Sequence, residues 1–145
     1  MPEQATYPFT QQRIEEQARG NVTALILGSL AYAKAQGHDG RHWATFMGQA
    51  FAPTWTSTTT PQQAATSLAL NCASAGMRVL SVTGDETRGE AVTGDWPDAG
   101  DLAFFGLSQA DADEFWDIFA PIAQSLGIRY EWRREGDQLH FSFAR

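Results

Sequence analysis

The chain has 145 residues, of which 43% are hydrophobic, and it includes five Trp and nine Phe. This length and composition predict one folded domain with a substantial core and exclude an intrinsically disordered chain. Seventeen acidic residues against ten basic ones give a net charge of −7, which opposes non-specific binding to nucleic acids and to anionic lipids.

Signals for disulfides, export and membrane insertion are missing from the sequence. A single cysteine, Cys72, excludes an internal disulfide and a zinc site built from several cysteines. The N-terminal residues lack the basic region and apolar run of a signal peptide. The longest apolar stretch is too short and too interrupted to span a membrane. We therefore expect a cytoplasmic protein that does not enter a membrane and binds no nucleic acid.

The first part of the chain predicts a lead-in and a long helix. Residues 1–9 are expected to be an extended lead-in, and residues 10–145 a single domain. Apolar residues at three- and four-residue spacing predict a helix from Thr10 to Gln36. Gly20 and Asn21 lie inside that helix and favour a break there, with Asn21 as a new N-cap.

Two further helices are expected before the first strand. Asp39 has the position of an N-cap for a helix that Pro53 ends. Thr60, Pro61 and Gln63 have the spacing of a capping box with proline at the first helical position, which predicts the start of a third helix.

The hydrophobic period then changes to two. Strands are predicted at Met77–Thr83 and Gly89–Thr93, with a polar loop between them. Leu102–Gly106 is expected to be a short strand or a buried connection. Ser108 is expected to begin a long helix that runs to about residue 126 and is kinked by Pro121. Residues 128–144 predict a closing hairpin.

This order of elements predicts an α+β fold. N-terminal helices are followed by helix–hairpin–helix–hairpin, so that a four-stranded antiparallel sheet is covered on one face by helices. In the second hairpin Leu139, Phe141 and Phe143 alternate with His140 and Ser142. The aromatic face is expected to pack on the helices, and His140 is expected on the opposite face.

Two stretches carry a resemblance to known proteins: GMRVLSVTGDETRGEAVTGDW and SLGIRYEWRREGDQLHFSFAR. Over residues 10–144 the order of elements resembles a superfamily that includes 4-vinyl reductase domains, heme nitric-oxide-binding domains and L-2-amino-thiazoline-4-carboxylic acid hydrolase-like proteins. The resemblance implies a dimer with an apolar pocket between helices and sheet. Members often carry cysteines in the hairpin region, and both hairpins here lack them. No catalytic residue is therefore carried over.

Two of the three histidines, His38 and His42, are four residues apart, with Asp39 between them. Two histidines at this spacing on one helix face can bind one metal ion, with Asp39 or His140 as a third ligand. As an N-cap, however, Asp39 would put His38 outside the helix and spoil that geometry. The stretch is interpreted as a capped helix start, and no metal or other cofactor is predicted.

The aromatic residues give the leading functional hypothesis, which is a homodimeric domain that binds a small, mostly apolar ligand without evident catalysis. Arg41, Arg78 or His42 would anchor a ligand carboxylate. One alternative is a hydrolase-like enzyme that uses His42, Asp39 and Cys72. Another is a partner-binding module that uses the acidic segment 85–117. The expected pocket residues are Trp43, Phe46, Met47, Phe51, Trp55, Trp116, Tyr130 and Trp132, with Arg41 and His42.

Overall fold

The structure is a computed structural model that describes residues 8–145, so most of the expected lead-in lies outside the described residues. The described chain folds as helices and a four-stranded antiparallel sheet, which confirms the α+β prediction. Short 3₁₀ turns occupy Ala52–Trp55 and Glu114–Ile118. The helices and strands, in chain order, are α1 Gln11–Ala35, α2 Gly40–Phe51, α3 Pro61–Ser74, β1 Val79–Gly84, β2 Arg88–Gly94, α4 Ala99–Phe105, α5 Gln109–Asp113, α6 Phe119–Ser125, β3 Arg129–Glu135 and β4 Gln138–Ala144.

The sheet has the strand order β1-β2-β4-β3, so the two hairpins meet through β2 and β4. Leu139, Phe141 and Phe143 of β4 lie on the inner face and are buried beneath the helices. Helix α3 packs across β1 and β2, and α6 packs against β3. The predicted alternation of the second hairpin is confirmed, because His140 and Ser142 are only half-buried on the other face.

Side-chain caps begin the helices where the sequence predicts them. The Asp39 carboxylate accepts a hydrogen bond from the His42 backbone N–H at 2.7 Å. Thr60 and Gln63 form a complete capping box at the start of α3. Ser108 does the same with Asp111 at the start of α5. These caps pair backbone N–H groups that lack a partner within the first helical turn.

The expected break in the first helix is wrong, because α1 is continuous through Gly20. A glycine in a helix interior costs only about 1 kcal/mol relative to alanine. Here the Gln17 side chain donates to Asn21 Oδ1 at 2.9 Å across the same turn. Burial of Leu27 and Leu30 further along the helix offsets that cost.

The expected strand or buried connection at Leu102–Gly106 is also wrong, because Ala99–Phe105 is helix α4. The Asp98 carboxylate caps its start by accepting from the Asp101 N–H at 2.8 Å. Gly106 ends it in the left-handed region at φ 67°. The Asp98 cap and the Gly106 stop favour a helix more strongly than the aromatic residues of this stretch favour a strand. In the helix, Phe104 is left 83% exposed.

The predicted single helix after Ser108 is instead α5, a 3₁₀ turn and α6. Pro121 has no N–H to donate to the Asp117 carbonyl, so a regular helix cannot pass through this position. It lies in the first turn of α6, where backbone N–H groups need no intrahelical partner. The interruption therefore precedes the proline and places the 3₁₀ turn Glu114–Ile118 in the middle of the fold.

Helix α2 contacts this 3₁₀ turn through its smallest residues. Gly40, Ala44 and Gly48 recur at four-residue spacing and are buried. A Cβ atom at Gly48 would overlap the carbonyl oxygen of Ile118, and one at Gly40 would overlap the Glu114 side chain. The small size of these three residues lets the two segments approach closely. The large apolar residues of α2 are consequently directed to its flanks.

We expect Gly48→Ala to lower the free energy of unfolding by about 1–3 kcal/mol, because the added methyl group would force α2 away from the 3₁₀ turn. Gly20→Ala is the matched control, since nothing lies within 4 Å of the Cβ position in the described chain. It should raise the free energy of unfolding by about 0.5–1 kcal/mol. Urea denaturation followed by circular dichroism measures both. Equal effects of the two substitutions would contradict the close contact.

Candidate functional site

A cavity of 680 Å³ lies between α1, α2 and α3, and the 3₁₀ turn Glu114–Ile118 contributes to its floor. Most of the lining side chains are apolar or aromatic. Helix α1 supplies Val22, Leu25, Ile26 and Ser29; α2 supplies Trp43, Met47 and Phe51; Thr54, Trp55, Ser57 and Thr58 follow; α3 supplies Ser67, Leu70, Asn71, Cys72 and Ser74; Ala75, Met77, Trp96, Phe115, Trp116, Ile118, Phe119 and Ile122 complete the lining.

The floor of the cavity is an aromatic cluster centred on Trp116, which is 1% exposed. Its ring meets Trp96 edge-to-face at a centroid distance of 5.5 Å and Phe141 at 5.0 Å. Phe115 packs against Trp43 at 5.7 Å. Such edge-to-face pairs stabilise a packed arrangement beyond the area they bury. The Trp116 Nε1–H has no acceptor within residues 8–145.

Tyr130 and Trp132 support this floor from the sheet. The Tyr130 hydroxyl donates to the Trp116 carbonyl oxygen at 2.7 Å, and the Trp132 Nε1–H donates to Asp117 Oδ1 at 3.0 Å. Both residues are absent from the cavity lining. They were expected to line the pocket, and the structure instead places them behind it, because strand β3 lies beneath the 3₁₀ turn.

The polar side chains of the lining are largely satisfied by backbone groups. Ser29 donates to the Leu25 carbonyl, and Asn71 donates to the Ser67 carbonyl at 2.8 Å. Cys72 is the ionisable residue of the lining, and burial raises the pKa of its thiol to about 12. The thiol is therefore uncharged at neutral pH, and the lining residues that the structure describes carry no formal charge.

The three expected carboxylate anchors, Arg41, Arg78 and His42, are absent from the cavity lining. Arg41 is exposed and forms an ion pair with Asp117 at 3.1 Å. His42 stacks on His38 with a ring-centroid distance of 4.4 Å, and it lines a second concavity of 710 Å³ together with Phe46. The start of α2 turns these side chains away from α3. Among the ten residues expected at the pocket, the cavity brings together Trp43, Met47, Phe51, Trp55 and Trp116.

The mouth of the cavity is apolar and exposed. Leu25 of α1 and Leu70 of α3 are each 71% exposed, and Phe51 of α2 is 45% exposed. Leu25, Leu70 and Trp96 also line the cavity and were not among the pocket residues expected from the sequence. A signal was present for Leu70, which lies about 200° around α3 from the buried Leu68 and therefore off the core-facing stripe.

The acidic segment 85–117 is largely used within the fold. Asp113 and Asp95 both bind Arg134 at 2.6 Å, and these contacts raise the pKa of that guanidinium. Asp111 binds Lys34 at 2.6 Å and thereby joins α5 to α1. The hydrogen bond from Lys34 lowers the pKa of Asp111. Much of the local negative charge is therefore paired with cations of this chain.

The described residues contain no group of three His, Cys, Asp or Glu side chains arranged to hold a metal ion. In that same part of the chain, none of the helices has the length and apolar character needed to cross a membrane. No protein-family model and no curated protein sequence matches the chain. The resemblance to the 4-vinyl reductase and heme nitric-oxide-binding superfamily rests on the order of elements and stays a prediction.

We expect the thiol of Cys72 to react with iodoacetamide at pH 8 about a hundredfold more slowly in the folded chain than in urea. The reason is that a pKa near 12 leaves very little thiolate, and burial restricts access. Thr66→Cys combined with Cys72→Ala gives an exposed thiol on the same helix as a control. Mass spectrometry of the alkylated chain gives the rates. Equal rates for the two folded proteins would contradict the burial of Cys72.

The same raised pKa predicts a pH dependence of stability. The folded chain holds the Cys72 proton more tightly than the unfolded chain, whose thiol has the ordinary value of 9.0. This contribution to the free energy of unfolding is complete below pH 9 and is lost as the pH rises from 9 towards 12. Wild type should therefore lose more stability than Cys72→Ala between pH 8 and pH 10.5 in urea titrations. Parallel losses would show that the thiol is not perturbed.

Proposed function

We propose that this chain binds a small, neutral, mostly apolar molecule in the cavity between α1, α2 and α3. The observation that carries the proposal is the size and lining of that cavity. Its 680 Å³ lies within the range of about 300–1,000 Å³ that is typical of small-molecule sites, and aromatic and aliphatic side chains dominate its walls. The aromatic floor offers flat faces and edges for van der Waals contact with a ligand.

The absence of charge in the lining favours a neutral ligand over an anion. A carboxylate moved from water into this cavity would lose hydration and meet no basic side chain from residues 8–145. Arg41 is engaged by Asp117 outside the cavity. The buried Trp116 Nε1–H has no acceptor among the described residues, and a ligand oxygen that reached the floor would supply one. An apolar molecule with one hydroxyl or carbonyl group fits both features.

The proposal includes the homodimer and the cytoplasmic location expected from the sequence, and it assigns no reaction to the chain. The free thiol of Cys72 suits a reducing compartment. The hydrolase-like alternative has weaker support, because a thiol with a pKa near 12 is a poor nucleophile at neutral pH. The acidic-module alternative is weakened by the internal pairing of Asp111, Asp113 and Asp117.

Decan-1-ol and decanoate form a matched pair of probes for this proposal, since they share a chain length and differ in charge. Titration calorimetry should give one decan-1-ol bound per chain. Decanoate should bind at least about tenfold more weakly, because its charge has no partner in the cavity. Equal affinities would overturn the proposal that the ligand is neutral. If neither probe bound, the proposal that the cavity binds a small apolar molecule would be overturned.

Cavity-filling variants test whether the probe occupies this site. Ser67 lines the cavity, and its hydroxyl forms no hydrogen bond in the described chain, so Ser67→Phe places a ring in the cavity without breaking one. We expect this variant to lose decan-1-ol binding. Thr66→Phe adds the same ring at the adjacent exposed position and should retain binding. Loss of binding in both variants, or in neither, would place the probe elsewhere.

A further inference from the structure

Among residues 8–145, strand β1 pairs only with β2 and forms one edge of the sheet. All six residues of Val79–Gly84 are exposed, including the apolar side chains of Val79, Leu80 and Val82. None of the six is charged. An uncharged edge strand with free backbone groups is a template for pairing with another strand.

The opposite edge of the sheet, strand β3, is charged. Strand β3 carries four charged residues with exposed side chains, Arg129, Glu131, Arg133 and Glu135, at alternating positions. Charged side chains along an edge discourage pairing with a second chain. The sheet therefore has one edge that is protected against pairing and one that is not.

The ladder with β2 shows which backbone groups of β1 are free. The Asp85 N–H donates to the Arg88 carbonyl at 2.7 Å, so these two residues form a hydrogen-bonded pair of the antiparallel ladder. Because such pairs recur at every second residue, Thr83 and Ser81 also form hydrogen-bonded pairs with β2. The N–H and C=O groups of Val82 consequently point to the open edge. A β-bulge between Val79 and Ser81 leaves the segment from Ser81 to Gly84 regular.

We propose that a second copy of this chain pairs antiparallel with β1 about a two-fold axis at Val82, joining two sheets into one of eight strands. This inference rests on the homodimer included in the proposed function and names its interface. In this register Val82 exchanges hydrogen bonds with Val82 of the second copy. Ser81 lies opposite Thr83 of the second copy, and both belong to the same face of the sheet.

Charge complementarity supports this register and orientation. The antiparallel arrangement brings the segment just before β1, which carries Arg78, alongside the turn just after β1 of the second copy, which carries Glu86. Neither side chain forms an ion pair within residues 8–145. The two-fold axis repeats the contact, so each dimer gains two Arg78–Glu86 pairs. A parallel arrangement would bring like charges together.

Helix α3 leaves room for the second copy. The helix begins directly over β2, since a Cβ atom at Gly89 would overlap the carbonyl of Pro61. Strands are about 4.8 Å apart, which puts this end of α3 about 7 Å from the proposed axis and its two copies about 14 Å apart. Packed helices approach to about 8–10 Å, so the N-terminal ends of the two helices do not collide.

Sedimentation velocity of the full chain over a concentration series tests the proposal. We expect a dimer for the wild type. Val82→Pro should give a monomer, because it removes an N–H that faces the open edge while leaving the ladder to β2 intact. Val82→Thr keeps that N–H and should remain a dimer. Circular dichroism and thermal unfolding verify that each variant is folded.

A charge exchange tests the register independently. Arg78→Glu should raise the dimer dissociation constant by about tenfold, because two attractive pairs become repulsive. The double variant Arg78→Glu/Glu86→Arg restores the pairs with reversed signs and should return to near the wild-type value. Arg133→Glu changes the net charge equally at the β3 edge and should leave the dissociation constant unchanged.

A wild-type monomer at all concentrations would overturn both this interface and the homodimer of the proposed function. A dimer that persists in Val82→Pro and Arg78→Glu would overturn the β1 interface alone. Loss of the dimer without rescue by the double variant would refute the Arg78–Glu86 register. Decan-1-ol binding is measured on the same variants, so that failure of the dimer and failure of the cavity to bind a ligand are told apart.

Discussion

The close contact between α2 and the 3₁₀ turn Glu114–Ile118 is the constraint on which much of this structure depends. It requires glycine at positions 40 and 48, where a Cβ atom would overlap the turn. The Glu114 carboxylate accepts from the Gly40 backbone N–H at 2.6 Å, which satisfies a free donor and neutralises part of the positive helix end. The Asp117 carboxylate binds Arg41 and Trp132, so the turn is held by both α2 and β3.

The cavity follows from that contact. Because α2 packs through Gly40, Ala44 and Gly48, its large residues Trp43 and Met47 are left on a flank where they form a wall opposite α1 and α3. A helix that packed through its aromatic residues would place them in the core and close this space. The site is therefore a consequence of a small-residue packing face, and the hydrogen bonds from β3 to the turn fix its floor.

Charge is distributed so that it stays out of the cavity. Acidic side chains of segment 85–117 pair with Lys34, Arg41 and Arg134, or cap helices, around the outside of the fold. The interior that remains is lined by neutral groups, which is why the proposed ligand is neutral. The proposed dimer contact uses different residues, in an edge strand whose own side chains are uncharged.

The sequence by itself determined the α+β class, the order of elements and the main helix starts, because caps such as Asp39 and Thr60 and the period-two stretches act over a few residues. It also identified five of the cavity residues. It did not determine which face of α2 is buried, where the helix after Ser108 is interrupted, or that Arg41 lies outside the cavity. Those outcomes depend on contacts between segments some 70 residues apart, such as Gly40 with Glu114, and only the tertiary structure decides them.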